Sequence, residues 1–161
     1  MITIKTHNLR LKRLIVFIVY IAFVITFTFI VRETLILRYS GKHEIVLVPF
    51  RQYDYFLHGT THMQWFWQIF LNILLFLPFG FMFPINCCSF FRKLKVPELS
   101  TVLVGSLFSL VIEAMQYITG RGLADIDDFI NNSLGAILGY LIYRTAKRNY
   151  EMRKGSDNRR I

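Results

Sequence analysis

Several polar side chains stand inside or next to long apolar stretches of this sequence. Glu113 and Gln116 lie three residues apart in one such stretch, and Asn72 lies in another. Asp128 and Asn132 are four residues apart, so a helix presents both on one face. Carboxyl groups donate or accept protons in catalysis, and amides orient a substrate through hydrogen bonds. The pattern therefore indicates a polar site within an apolar protein.

Glu113 has the strongest case for a chemical role. A charged carboxylate at membrane depth is costly unless it pairs, faces water or is protonated. We expect Arg121 to pair with Glu113 or to hold an anionic group of a substrate. Glu113 and Asp128 are predicted to be catalytic. Four residues are predicted to bind substrate: Asn72, Gln116, Arg121 and Asn132.

A structural interpretation of the same residues stays open. Asparagine and glutamine hold neighbouring membrane helices together, and the spacing of Gly135 and Gly139 packs helices within a bundle or between chains. Asp127 or Asp128 also suits the N-terminus of a helix, where backbone N–H groups and the helix dipole favour an anion. Packing is thus the competing explanation for each amide taken alone.

Metal and cofactor motifs are weak or missing in the sequence. The run Asp125-x-Asp127-Asp128 permits a divalent cation, but it lacks the glycine and the later glutamate of a calcium loop. His58 and His62 are four residues apart without a third zinc ligand near them. No nucleophile elbow, phosphate loop or dinucleotide-binding glycine motif occurs. We therefore predict no metal and no cofactor.

The elements that carry these residues are predicted to be membrane-spanning helices. Of 161 residues, 54% are hydrophobic and only 18% are charged, whereas about a quarter is charged in typical soluble domains. The apolar residues form long blocks, as membrane spans require. The predicted fold is all-α, an integral membrane bundle of four transmembrane helices. Its parts are a basic N-terminus (1–13), transmembrane helix 1 (14–31), an extracellular loop (32–64), helices 2–4 (65–146) and a basic tail (147–161).

The distribution of basic residues predicts the orientation. With the N-terminus inside, 14 of the 19 Lys and Arg residues fall in inner segments and 5 in outer segments. Because cytoplasmic segments carry the excess of basic residues, both termini are predicted to be cytoplasmic in a multi-pass protein of the cell membrane. The net charge of +9 is explained by these flanks and by anionic headgroups, so nucleic acid is not an expected partner. The polar residues then lie in the outer leaflet.

The order and spacing of several motifs resemble the VanZ family of small bacterial membrane proteins. The matching residues, between about 45 and 143, are Val48-Pro49-Phe50, Asn72 to Gly80, Ile112-Glu113-Ala114-Met115-Gln116, Arg121, Asp125-Ile126-Asp127-Asp128, Asn131-Asn132-Ser133-Leu134-Gly135 and Gly139. The resemblance implies that helices 2–4 are VanZ-like and that the predicted site residues occupy the polar positions of the family. Asn131 and Asn132 both fit the last amide position, and helical phase with Gly135 and Gly139 favours Asn132.

The resemblance also implies low-level resistance to teicoplanin-type glycopeptide antibiotics, through limited access of the drug to targets at the cell surface. Two other functions stay open: an intramembrane enzyme that modifies a lipid-linked or phosphate-bearing cell-envelope substrate, and a non-catalytic partner of another membrane protein. The expected partners are membrane lipids, with lipid-linked cell-wall precursors or the glycopeptide itself as further candidates. Whether the protein is an enzyme stays open.

Overall fold

The computed structural model describes residues 2–31, 44–91, 97–121 and 123–157, and side-chain environments within 8–30, 44–86, 99–121 and 123–156. These ranges contain five α-helices: α1 (Ile2–Thr26), α2 (Arg51–His58), α3 (His62–Phe91), α4 (Pro97–Thr119) and α5 (Ile126–Asp157). A π-helical turn, Phe27–Val31, continues α1. Two short strands, β1 (Ile45–Val46) and β2 (Ala124–Asp125), pair in parallel. The largely helical class is confirmed, with this two-residue ribbon as an addition.

Three of the described helices are long and apolar enough to cross a bilayer, over Asn8–Ile30, His62–Asn86 and Leu99–Thr119. By length and composition they are candidate spans, consistent with a multi-pass membrane protein. The longest helix, α5, contains the segment predicted as the fourth span. Its apolar part is short, and basic residues follow from Arg144. The fourth span and the orientation of the termini therefore stay predictions.

The segment predicted as an extracellular loop contains regular structure. Residues 32–43 lie outside the described ranges, and the remainder carries β1 and α2. Helix α3 begins at His62, before the predicted first residue Trp65, because the backbone N–H groups of Gln64 and Trp65 already point to the Thr61 carbonyl at 3.1 and 3.5 Å. In the predicted tail, α5 continues to Asp157, and residues 158–161 lie outside the described ranges.

Helices α3 and α5 run in the same direction with their backbones in contact. A Cβ atom on Gly139 would lie 1.9 Å from the Leu77 carbonyl oxygen, and one on Gly135 would lie 2.3 Å from the Ile73 carbonyl oxygen. A Cβ atom on Gly80 would lie 2.0 Å from the carbonyl oxygen of Ala136. Side chains are thus excluded along this contact, as in small-residue packing of membrane helices. We call the contact at Gly80, Gly135 and Gly139 the glycine seam.

The apolar core lies between α1, α3 and α4. One cluster joins Val24 of α1 to Leu75 and Phe76 of α3 and Ile112 of α4. Helix α1 runs antiparallel to α3, and its Tyr20 hydroxyl donates a hydrogen bond to the Leu75 carbonyl. Large apolar side chains on the outer faces of the helices are exposed, as expected for surfaces that meet lipid.

Candidate functional site

Buried polar side chains gather at the end of the bundle where α5 begins. They come from α2, from the first half of α3, from the second half of α4 and from the first turns of α5. Buried polar groups need hydrogen-bond partners, since an unmet donor or acceptor carries its full desolvation cost. The residues of this polar end largely supply those partners to each other.

Asp128 is the centre of the polar end. Its Oδ1 atom accepts hydrogen bonds from Gln52 Nε2 at 2.6 Å, Asn72 Nδ2 at 2.7 Å and Gln68 Nε2 at 3.3 Å. The side chain is fully buried, at 0% exposure. Helix α3 places Gln68 and Asn72 one turn apart on the same face, so both amides reach one carboxylate. One acidic oxygen therefore ties α2 and α3 to α5.

Asp125 connects the ribbon to α2, α4 and α5. Its Oδ2 atom pairs with Arg51 Nη2 at 3.1 Å, and its Oδ1 atom accepts the backbone N–H of Asp127 at 3.0 Å, which caps the start of α5. The backbone N–H of Asp125 in turn donates to Glu113 Oε2 at 2.9 Å. Glu113 thus holds the chain immediately before α5 against α4.

Asp127 caps the N-terminus of α2 from across the bundle. Its two carboxylate oxygens accept the backbone N–H groups of Phe50 at 2.6 Å and Gln52 at 2.7 Å. Phe50 has φ 63°, a left-handed conformation that is uncommon for residues other than glycine. The carboxylate satisfies N–H groups that a helix end leaves unpaired, and the helix dipole favours its charge. Asp127 or Asp128 was predicted to suit the N-terminus of the helix that follows, but the Asp127 carboxylate caps α2, and Asp125 caps α5.

Tyr53 and Asn131 extend the polar end beyond the carboxylates. The Tyr53 hydroxyl donates to Asn131 Oδ1, and Asn131 Nδ2 donates to Gln52 Oε1 at 3.3 Å. Burial raises the pKa of the Tyr53 phenol above its ordinary value of 10.0, and the charge of Asp127 raises this pKa further. Tyr53 is therefore a neutral hydrogen-bond donor through the physiological pH range.

The two neighbouring asparagines of α5 have different partners. Asn131 faces α2, as described above, and Asn132 Nδ2 donates to Ser109 Oγ on α4 at 2.8 Å. Both side chains are buried. Asn131 thus shares the Asp128 network through Gln52, whereas Asn132 joins α4 to α5.

The structure brings most of the predicted site residues to the polar end and leaves one apart. Asn72 and Asp128 are in direct contact. Glu113 and Asn132 form hydrogen bonds at the same end of the bundle, with the Asp125 backbone N–H and with Ser109. Gln116 is buried, and its Oε1 atom finds no hydrogen-bond donor among the described residues. Arg121 is exposed, and its side chain makes no ion pair with any described residue. The expected Glu113–Arg121 pair is not formed: Arg121 is exposed, whereas Glu113 is buried and its Oε2 atom accepts a backbone N–H.

An apolar groove opens beside Glu113. Its volume is about 450 Å³, within the range of small-molecule sites. Glu113 and Asp125 supply its acidic residues. The other lining residues are Ile45, Leu47, Leu110, Ala114, Tyr117, Ala124, Ile126 and Phe129. Because several of these side chains are exposed, the groove opens on the outer face of the bundle.

The described residues contain no group of three or more His, Cys, Asp or Glu side chains in an arrangement that suits a metal ion. The carboxylates of the polar end are instead directed at backbone and side-chain N–H groups. Chemically, the arrangement offers a buried carboxyl group at Glu113 beside an apolar groove. The absence of a cofactor stays a prediction.

The polar end includes residues that were not selected as site residues from the sequence, and three of them are Arg51, Gln52 and Tyr53 of α2. They directly follow Val48-Pro49-Phe50, which carries part of the family resemblance. Gln52 is fully buried and contacts both Asp125 and Asp128. A signal was available, since α2 has a polar N-terminal turn next to a motif in an otherwise apolar chain.

Comparisons with known proteins agree with this pattern. A family model described as VanZ/LLP1 matches residues 15–147. Protein VanZ of Enterococcus faecium is 32% identical over 84 residues, which are 52% of this chain and 48% of that protein. The match thus spans about half the length of that curated relative. No solved structure matches the chain. Because the family model covers most of the sequence, the protein belongs to the VanZ/LLP1 family.

Proposed function

We propose that this protein confers low-level resistance to teicoplanin-type glycopeptide antibiotics by limiting their access to targets at the cell surface. Family membership and the name of the enterococcal relative support the phenotype. The observation that links the proposal to particular residues is the hydrogen-bond network around Asp128. This network brings together side-chain amides from α2 and α3. A site of this kind is suited to the outer surface, where such drugs act.

The proposal includes four membrane spans with both termini in the cytoplasm. The helix directions support it, because α3 and α5 run one way along the glycine seam while α1 runs antiparallel to α3. Helix α4 runs antiparallel to α5, since Glu113 meets Asp125 at one end and Ser106 meets Ser133 further along. The excess of basic residues at the termini supports an orientation with the polar end outside.

Antibiotic susceptibility tests the proposal directly. The chain is expressed in a teicoplanin-sensitive Gram-positive host, and inhibitory concentrations of teicoplanin and vancomycin are measured. We expect teicoplanin tolerance to rise and Asp128→Asn and Glu113→Gln to remove the rise at equal membrane abundance. Glu151→Gln is the matched control, because this exposed carboxylate lies on the distal part of α5. Unchanged susceptibility with the native chain would overturn the proposal.

A second candidate is an intramembrane enzyme acting on a lipid-linked or phosphate-bearing cell-envelope substrate. The groove beside Glu113 favours it, since an apolar channel with a carboxyl group is suited to an amphiphilic substrate. Under this candidate, Glu113 acts as the acid or base, and Arg121 binds an anionic group from its exposed position. Lipid and wall-precursor profiles of cells expressing the native chain or Glu113→Gln should then differ. Identical profiles would rule out this candidate.

A further inference from the structure

A second apolar groove lies at the opposite end of the bundle, between α1 and α3. It has a volume of about 560 Å³. Its lining residues are Lys12, Arg13 and Val16 of α1, and Leu77, Pro78, Phe81, Met82, Ile85 and Asn86 of α3. On α3 these positions follow a helical stripe about 12 Å long, at 1.5 Å per residue from Leu77 to Ile85. We call it the basic groove.

One end of the basic groove is charged, and beyond the other end α1 and α3 pack against each other. Lys12 and Arg13 lie near the middle of α1, immediately before its long apolar run, and both side chains are exposed. Towards the middle of the bundle, the Phe17 and Phe79 rings meet with centroids 5.9 Å apart, and Tyr20 bonds to the Leu75 carbonyl. The groove is therefore an open apolar slot between α1 and α3, with two cations at one end.

The polar lining of the slot is almost entirely cationic. Asn86 is the remaining polar lining residue, and its Nδ2 atom already donates to the Met82 carbonyl at 2.9 Å. The slot contains no acidic lining residue, in contrast to the groove beside Glu113 and Asp125. Lysine and arginine bind phosphate through charge-assisted hydrogen bonds, and arginine can do so with two parallel bonds.

We propose that the basic groove is a binding site for one anionic phospholipid. An acyl chain fills the slot along Val16, Pro78 and Met82, and the phosphate is held by Lys12 and Arg13. Charge complementarity selects this occupant, because a zwitterionic lipid offers no net negative charge to the two cations. The lipid completes the contact between α1 and α3 where their side chains leave space. The inference is independent of the resistance function.

The test measures lipid retained by the purified full-length protein. The protein is incubated in detergent with phosphatidylglycerol or phosphatidylcholine, and bound lipid is quantified by native mass spectrometry across a concentration series. We expect one phosphatidylglycerol to bind in preference to phosphatidylcholine. Lys12→Gln combined with Arg13→Gln should weaken phosphatidylglycerol binding roughly 30-fold, from about a fivefold loss per cation.

A matched pair of basic residues provides the control. Lys147→Gln combined with Arg148→Gln removes two exposed cations from α5 that do not line the groove. This variant should bind phosphatidylglycerol like the native chain. An equal loss in both double variants would overturn the proposal, because it would show attraction to overall positive charge.

A second variant tests the slot itself. Val16→Trp fills the groove without changing charge, and Ile15→Trp places the same side chain on a neighbouring exposed position of α1 outside the lining. We expect Val16→Trp to weaken phosphatidylglycerol binding and Ile15→Trp to leave it unchanged. Native binding by Val16→Trp would overturn the proposal, as would equal retention of the two lipids by the native chain. Circular dichroism identifies any variant that loses its helices, and the remaining variants then decide.

Discussion

The polar end and the glycine seam join the same two helices, α3 and α5, by different physical means. At the polar end, Asp128 accepts directed hydrogen bonds from Asn72 and Gln68 of α3. Along the seam, the backbones meet at Gly80, Gly135 and Gly139 without intervening side chains. Substitutions at the polar end should therefore lower stability when they change the hydrogen-bonding groups, even if the side-chain volume is nearly constant. Substitutions along the seam should lower stability when they add volume, whether the added side chain is polar or apolar.

The largest effect is expected from Gly139→Leu in the seam. Even the first atom of a side chain there would lie 1.9 Å from the Leu77 carbonyl oxygen, so α3 and α5 must separate. Overpacking of this severity costs about 3 kcal/mol or more. Thermal unfolding in detergent should show a large loss of stability. Gly155→Leu is the control, because no neighbouring atom lies within 4 Å of a Cβ at that position. Equal stability of both variants would contradict the seam.

A smaller but substantial loss is expected from Asp128→Ala. The change removes the acceptor shared by Gln52, Gln68 and Asn72 and leaves buried N–H groups without a partner. Such losses cost about 1–3 kcal/mol per unsatisfied group. Asp128→Asn retains an acceptor oxygen at similar volume and should lose clearly less stability in the same unfolding assay. If the two variants were equally unstable, the charge of Asp128, which both substitutions remove, would decide stability at this position.

Asp127→Ala should act locally on α2. The carboxylate that caps Phe50 and Gln52 is removed, and loss of an N-terminal cap costs about 1 kcal/mol. Hydrogen exchange at these two amides should accelerate severalfold, up to roughly tenfold. Asp54→Ala is the control, because Asp54 is an exposed acid of α2 that pairs with His58. Unchanged exchange in Asp127→Ala would show that Asp127 does not stabilise the N-terminus of α2.

The smallest effect concerns alkaline pH at Tyr53. Its pKa is raised above 10.0 by burial first and by the Asp127 charge second. The folded state therefore binds the phenolic proton more tightly, and its stabilising contribution is complete below pH 10 and is lost as pH rises through the folded-state pKa. The difference between the ultraviolet absorbance titrations of the native protein and of Tyr53→Phe should show a phenolate that forms above pH 10. Asp127→Asn should shift the titration to lower pH, and no shift would show that the charge of Asp127 is not felt.

Local composition was sufficient to predict the helical class and three of the helices. The blocks around Val24, Phe76 and Phe108 are apolar over the length of a span, and length and hydropathy suffice for that inference. The fourth block was harder to assign, because α5 joins a short apolar part to a charged continuation beyond Arg144. The hydrophobic period and the length of the apolar part identify a membrane span less clearly in a helix of such mixed composition.

The candidate site was only partly predictable for a different reason. Asn72, Glu113 and Asp128 can be recognised in the sequence because polar residues are rare in or next to apolar helices. Gln52 and Tyr53 lie in a segment that is polar anyway, so only their position next to Val48-Pro49-Phe50 marks them in the sequence. Their roles depend on contacts with Asp128 and Asn131, which lie 76 and 78 residues away. Likewise, no local feature of the sequence indicates that Glu113 accepts a hydrogen bond from a backbone N–H and does not pair with Arg121.

The hydrogen bond between Asn72 and Asp128 spans 56 residues of chain, and this separation has a consequence in time. At a synthesis rate of about 5–20 residues per second, Asp128 emerges roughly 3–11 s after Asn72. During that interval, the amides of α3 have no carboxylate acceptor from α5 within the growing chain. The arrival of α5 therefore sets the moment at which α3 reaches its final environment. A chain interrupted before Asp128 would present two unmatched amides, Gln68 and Asn72, to lipid or to the insertion machinery.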